Sequence, residues 1–252
     1  KYKWGKSKYY SLSAKKNIHP SYVQEILADQ RYKDNQIIEI INELSKMKSS
    51  SFNPLILKDL INKKVNGDWN AKNWCKNKNI LILGQGNSIK ENKSKILKLI
   101  KKQSFKVLSL NINKMIEAKY IDNFLACHEA RIMIDSKKYD THFEKMIIPI
   151  DRFKHILKRK FSKKIKNYGM MVKKDIFKQY EKYCVLPSNL AIGYAISLCL
   201  IGKSKKIFLA GFDGYKNNHM LNLEMNNFFK ILKKNKPYLK ISSITKTNYK
   251  IF

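Results

Sequence analysis

Asn79-Ile-Leu-Ile-Leu-Gly-Gln-Gly-Asn-Ser88 decides the fold. Four apolar residues run without interruption into a turn built on Gly84 and Gly86. A short, continuous apolar run bounded by glycine is the pattern of a strand buried on both faces, as in a parallel sheet. After the turn, Ile89, Ile96, Leu97, Leu99 and Ile100 predict a helix over 89–102. At such a strand-to-helix junction, backbone amides and a helix N-terminus can meet an anion. No third glycine follows in register, so the turn is not the full dinucleotide fingerprint, and a plain tight turn remains open.

The same signature recurs downstream. Lys106-Val-Leu-Ser-Leu110, Phe124-Leu-Ala-Cys127, Lys145-Met-Ile-Ile-Pro149 and Lys205-Lys-Ile-Phe-Leu-Ala210 read as strands, with a last one near 239–244. Pro187–Ile201 reads as an apolar helix and residues 223–232 as another. Strands alternating with helices predict an α/β, Rossmann-like parallel sheet with helices on both faces. Strands near 79–83, 106–110, 123–127 and 205–210 are expected to be neighbours. Residues 154–178 are basic and aperiodic, and a small lid is one reading of them.

The first seventy residues differ in character. Helices are expected after Pro20, around Asn35 to Leu44, and from Pro54 toward Gly67. The division expected is a small helical segment, 1–70, followed by a nucleotide-site domain, 71–252. Lys1 rather than Met opens the chain, so more protein is expected upstream.

The net charge is +33. Of the 52 basic side chains, four are arginine (Arg31, Arg131, Arg152, Arg159) and the rest lysine. Arginine is the usual reader of bases and the better phosphate fork, so specific nucleic-acid binding is not expected. Solvated lysine faces account for most of the charge, and contact with an anionic membrane face stays open. Cys75, Cys127, Cys184 and Cys199 form no CxxC or other metal spacing. No metal site is expected. The reading is of a cytoplasmic protein, with the inner face of the membrane open to it.

In an open α/β sheet, ligands bind at the carboxyl ends of the strands. There the sequence places Gly84, Gln85, Gly86 and Ser88, then Asn111, His128, Asp213 and Tyr215, with Ser188 before the apolar helix. Asn111 suits a ribose or base edge, and equally a turn. His128 is a ligand contact or a satisfied structural group. Ser188 and its neighbour Asn189 either cap the helix or meet a ligand; Asp213 meets a ligand or only pins a turn, and Tyr215 meets a ligand or only packs.

Together, Gly84-Gln-Gly-Asn-Ser-Ile89, Leu110-Asn111, the strand ending at His128, Pro187-Ser188 and Ile207-Phe-Leu-Ala-Gly-Phe-Asp-Gly-Tyr215 resemble the bacterial sialyltransferases that act on lipooligosaccharides. The resemblance covers roughly residues 78 to 232. It implies metal-independent transfer of a sugar acid from a CMP donor to a glycan acceptor, with no cofactor beyond that substrate. It implies that Gly84, Gln85, Gly86 and Ser88 surround the donor phosphate and ribose, with Asn111 and His128 nearby. Tyr215 would hydrogen-bond the departing phosphate. His219, in His219-Met-Leu-Asn222-Leu-Glu224, would be the general base. The chain departs from the family at Gln85 and Asn87, in the short Tyr215–His219 loop, and in lacking a second leaving-group tyrosine.

The same turn and strand pattern is similar to the 6-hydroxymethylpterin diphosphokinase-like family. That alternative requires acidic metal ligands, for which Asp213 is available without a clear second carboxylate. Lys3-Trp4-Gly5, Tyr9-Tyr10-Ser11 and Asn17-Ile-His19-Pro20-Ser-Tyr-Val-Gln24-Glu25 resemble the region after the barrel of enzymes related to 4-hydroxy-2-oxovalerate aldolase. That implies an aldolase-like barrel upstream. A non-catalytic nucleotide-binding or scaffolding module attached to such an aldolase is the further alternative.

Overall fold

The computed structural model describes residues 8–16, 23, 34–46, 66–102, 105–128, 132, 135, 141–152, 165–173, 175–215 and 220–251. The chain divides into two units, Lys1–Lys63 and Lys64–Phe252. The sequence places the boundary near 70. It falls earlier because Gly67 N donates to Lys182 O (3.0 Å) and Trp69 N to Asn167 O (3.1 Å), tying 66–70 to the later domain.

In the first unit, helices α1 (Lys8–Lys15) and α2 (Asp34–Lys46) are described. Asp34 accepts hydrogen bonds from Lys8 and Tyr9. The expected stripe around Asn35 to Leu44 is α2, with Ile37 and Ile41 buried. The helices expected from Pro20 and Pro54 lie outside the described residues, except for Val23, which is helical.

The second unit is built on a seven-stranded sheet. Its strands are β1 (Asn79–Leu83), β2 (Phe105–Leu110), β3 (Asn123–Leu125), β4 (Met146–Ile148), β5 (Lys166–Asn167), β9 (Lys206–Ala210) and β10 (Ile241–Ser243). The order is β10-β9-β1-β2-β3-β4-β5 and every pairing is parallel. The predicted neighbours are neighbours. Leu83 pairs with both Ser109 and Ala210, and Leu110 with Leu125, so these strands end on one rim.

Successive strand residues point to opposite faces. Ile80 and Ile82 join one core, Leu81 and Leu83 the other. Helix α4 (Lys93–Lys102) covers the second face through Ile96. The expected 89–102 helix is broken: α3 (Ser88–Glu91) stops at Asn92, whose side-chain amide donates to Ser88 O (2.9 Å). That side-chain bond competes with a continuous helical ladder.

Helix α5 (Ala191–Ile201) lies in the first core, with Ile192–Cys199 buried without a break. It has no polar stripe because it is covered all round. The same core takes in a small three-stranded sheet of β6 (Gly169–Val172), β8 (Tyr183–Leu186) and β7 (Lys178–Gln179), in the order β6-β8-β7. Part of the stretch read as a lid thus supplies β5, β6 and the approach to β7. Tyr168 marks the change of sheet: its hydroxyl donates to Tyr180 O and Tyr183 O, and its carbonyl accepts from Tyr194. Helix α6 (Met220–Asn235) adds Phe228, Phe229 and Leu232 to this core.

Candidate functional site

The rim where β1, β2, β3 and β9 end carries nearly every residue singled out above. The loop Gly202–Lys205 sits at the opposite edge, since Lys205 N donates to Lys78 O (2.8 Å) just before β1. Helix α5 therefore starts on the rim, and α6, which follows β9, starts there too.

The glycine turn is locked against the end of β9. Gly84 N donates to Ala210 O (2.7 Å) and Gly86 N to Gly211 O (2.9 Å). Gly211 has φ +74, and a Cβ there would stand 2.5 Å from Ile89 Cδ1. This positive φ and close approach require glycine. The side chain of Asn113 closes the turn from the other side, donating to Gly84 O (3.1 Å).

An anion already occupies the turn, and it is internal. Ser88 N donates to Asp213 Oδ2 (2.9 Å) and the Ser88 hydroxyl donates to Asp213 Oδ1. A Cβ on Gly86 would lie 2.4 Å from Asp213 Cγ. Gly86 is therefore the surface on which Asp213 rests. Charge-assisted bonds to a carboxylate are among the stronger hydrogen bonds in proteins. A phosphate reaching Ser88 N would have to displace this carboxylate. The helix that follows, α3, is a single turn long.

Gln85 Nε2 donates to Leu110 O (2.6 Å), bridging the ends of β1 and β2. Asn111 has φ 59, a conformation asparagine tolerates better than most residues, and its amide donates to Leu125 O (2.8 Å). Its side-chain Oδ1 is buried without a hydrogen-bond partner. Ser188 Oγ and Asn189 Oδ1 share that condition just before α5, whose N-cap position, Leu190, supplies no side-chain cap. Asn222 Oδ1, in the first turn of α6, is a fourth such atom on a residue 2 % exposed.

His128 is half-buried beyond β3, and its carbonyl accepts from Ile132 N (3.0 Å). Tyr215 is half-buried beyond β9. His219 lies outside the described residues. Among the described residues, no group of three or more His, Cys, Asp or Glu side chains could hold a metal ion. Among them, too, no helix is long and apolar enough to cross a membrane.

Sequence reading missed three rim residues and named Asn189 only as a cap or ligand contact beside Ser188. Asn113 had a visible signal, a second asparagine two residues after Asn111. Asn222 was seen only as part of a motif, and Tyr249 had no signal. Tyr249 stands near enough to Tyr215 and Asp213 that they add to the rise of its hydroxyl pKa, which burial drives.

No protein-family model matches the chain, and no curated protein matches it.

Proposed function

We propose that this rim binds a CMP-activated sugar acid and transfers it to a glycan acceptor without a metal ion. In this reading the domain is the C-terminal part of a cytoplasmic aldolase-linked protein of surface-polysaccharide synthesis. One observation carries the proposal. Asn111, Ser188, Asn189 and Asn222 each hold a buried side-chain oxygen with no protein partner: Asn111 directly after β2, Ser188 and Asn189 just before α5, and Asn222 in the first turn of α6. Leaving a buried polar group unpaired costs about 1–3 kcal/mol, and a ligand with complementary groups removes that cost.

The donor phosphate lies toward Asn111 and the first turn of α5, since Asp213 fills the glycine turn. The uncapped first-turn amides of that helix favour an anion. In this reading His128 takes a proton from the acceptor hydroxyl, and His219 is the family-like alternative. The diphosphokinase-like reading asks Asp213 to serve a metal-bound nucleotide. That carboxylate accepts hydrogen bonds from Ser88, and no clear second carboxylate accompanies it in the sequence, which favours the transferase.

The test is a thermal-shift panel of CMP, UDP, GDP and ATP with and without chelator, followed by hydrolysis of a CMP-sugar. A chelator-insensitive shift with CMP and slow donor hydrolysis support the reading. A shift confined to ATP and abolished by chelator supports the kinase-like alternative. CMP binding without hydrolysis supports the non-catalytic module.

A further inference from the structure

Beyond β10 the chain crosses the rim as a strap. Ile244 N donates to Leu209 O (2.8 Å), Gly211 N to Thr245 Oγ1 (3.0 Å), and Asn248 N to Asp213 O (2.8 Å). Lys250 N donates to Asn226 Oδ1 of α6 (2.8 Å). The strap thus follows the Leu209–Asp213 backbone and then ties down to the helix after it. A Cβ on Gly214, where φ is +86, would stand 2.9 Å from Asn248 Cβ, so the two segments pack without space between them. The Tyr249 ring lies against Phe229, with centroids 6.4 Å apart.

This packing gathers a corner on the rim. Asp213 and Tyr215 come from the end of β9, Asn222 from α6, and Tyr249 from the strap. The Asn222 side chain lies beside Gly214, its Oδ1 3.5 Å from the position of that Cβ. The oxygen is buried and unpartnered, so the corner contains an acceptor that the protein leaves unused. Burial, helped by Tyr215 and Asp213, keeps the Tyr249 hydroxyl protonated.

The chemistry selects the ligand group. A carboxylate and an amide oxygen accept hydrogen bonds, and two phenols donate and accept them. A phosphate has no proton for the carboxylate and is repelled by it. A vicinal diol donates to the carboxylate and amide while accepting from the phenols.

We propose that Asp213, Tyr215, Asn222 and Tyr249 form a subsite for the ribose diol of a nucleotide, with the strap Thr245–Ile251 as its outer wall. The subsite rests on the reading above only in requiring a nucleotide at this rim. It moves Tyr215 from the departing phosphate to the sugar and makes Tyr249 a binding residue.

The experiment is calorimetric titration of the full chain with CMP, UMP, GMP and AMP and with the 2′,3′-dideoxy form of each. The parent should bind one ribonucleotide at least tenfold more tightly than its dideoxy form. Tyr249→Phe and Asp213→Asn should reduce that ratio to near one. Tyr249→Phe removes a single oxygen, so it tests the site even if Asp213→Asn disturbs the turn. Discrimination with UMP, GMP or AMP instead of CMP, erased by Tyr249→Phe, upholds the subsite and refutes the CMP reading. No ribonucleotide binding, equal affinity for both forms, or discrimination that survives Tyr249→Phe overturns the subsite.

Discussion

Gly86→Ala attacks the contact on which the rim is built. The added Cβ would stand 2.4 Å from Asp213 Cγ and Oδ1 and 2.6 Å from Oδ2, far inside van der Waals contact. The backbone of residue 86 cannot retreat freely, because Gly86 N is tied to Gly211 O (2.9 Å). The carboxylate must therefore leave Ser88. Two hydrogen bonds to a charged acceptor are lost, each worth about 1.5–3 kcal/mol. Asp213 is half-buried and regains water, so the net loss is about 2–3 kcal/mol. For a unit of this size that lowers the melting temperature by roughly 5–10 °C. A double-mutant cycle isolates the cause. In an Asp213→Ala background the methyl meets no carboxylate, so Gly86→Ala should be neutral or stabilise by ~0.4–1 kcal/mol through the unfolded chain. Thermal melts of the four proteins measure this. Equal losses from Gly86→Ala in both backgrounds would refute the Asp213–Gly86 argument.

Three further outcomes follow from the same geometry. Gly211→Ala, at φ +74 against Ile89, should cost several kcal/mol, on the order of 3–5, and lower soluble yield; a melt within about 2 °C of the parent would contradict it. Burial pushes the Cys75 thiol from an ordinary value of 9.0 up to about 12. The unfolded thiol ionises first, so stability should hold below pH 9 and fall between there and pH 12, by up to ~1.4 kcal/mol per unit from this group; melts across that range should show a shallower decline for Cys75→Ala. Residues 64–252 expressed alone should melt cooperatively, whereas 1–63 alone should show no cooperative transition by circular dichroism, because a unit that short supports little core.

The parallel sheet was legible because its central strands are buried on both faces. Asn79–Leu83 and Lys206–Ala210 read as apolar runs that stop at glycine, and the structure keeps both. The small sheet was not legible. Lys178–Gln179 is a two-residue strand whose pairing comes from β8 and from Tyr168, not from local pattern. Asn92 hid the helix break, since an asparagine inside an apolar helical stripe reads as a solvent position until its side chain turns back to Ser88 O. At the site, the strand-end positions of Gly84, Asn111, His128 and Asp213 followed from the sheet. The Asp213–Ser88 bond could not, because it joins residues 125 apart whose meeting depends on β1 and β9 being neighbours. Tyr249 was hidden for the same reason: it reaches the rim only through bonds of the strap to β9 and α6.

The central claim is that unpartnered side chains on the rim await a nucleotide, and Asn111 tests it most directly. Asn111→Gly accepts φ 59 without strain and removes only the amide side chain. Calorimetric titration of CMP into the parent and this variant, at matched melting temperature and in the presence of chelator, is the measurement. The account predicts that the parent binds and that Asn111→Gly binds at least tenfold more weakly, about 1.4 kcal/mol. Equal affinity in the two proteins, or no binding to the parent, would contradict it.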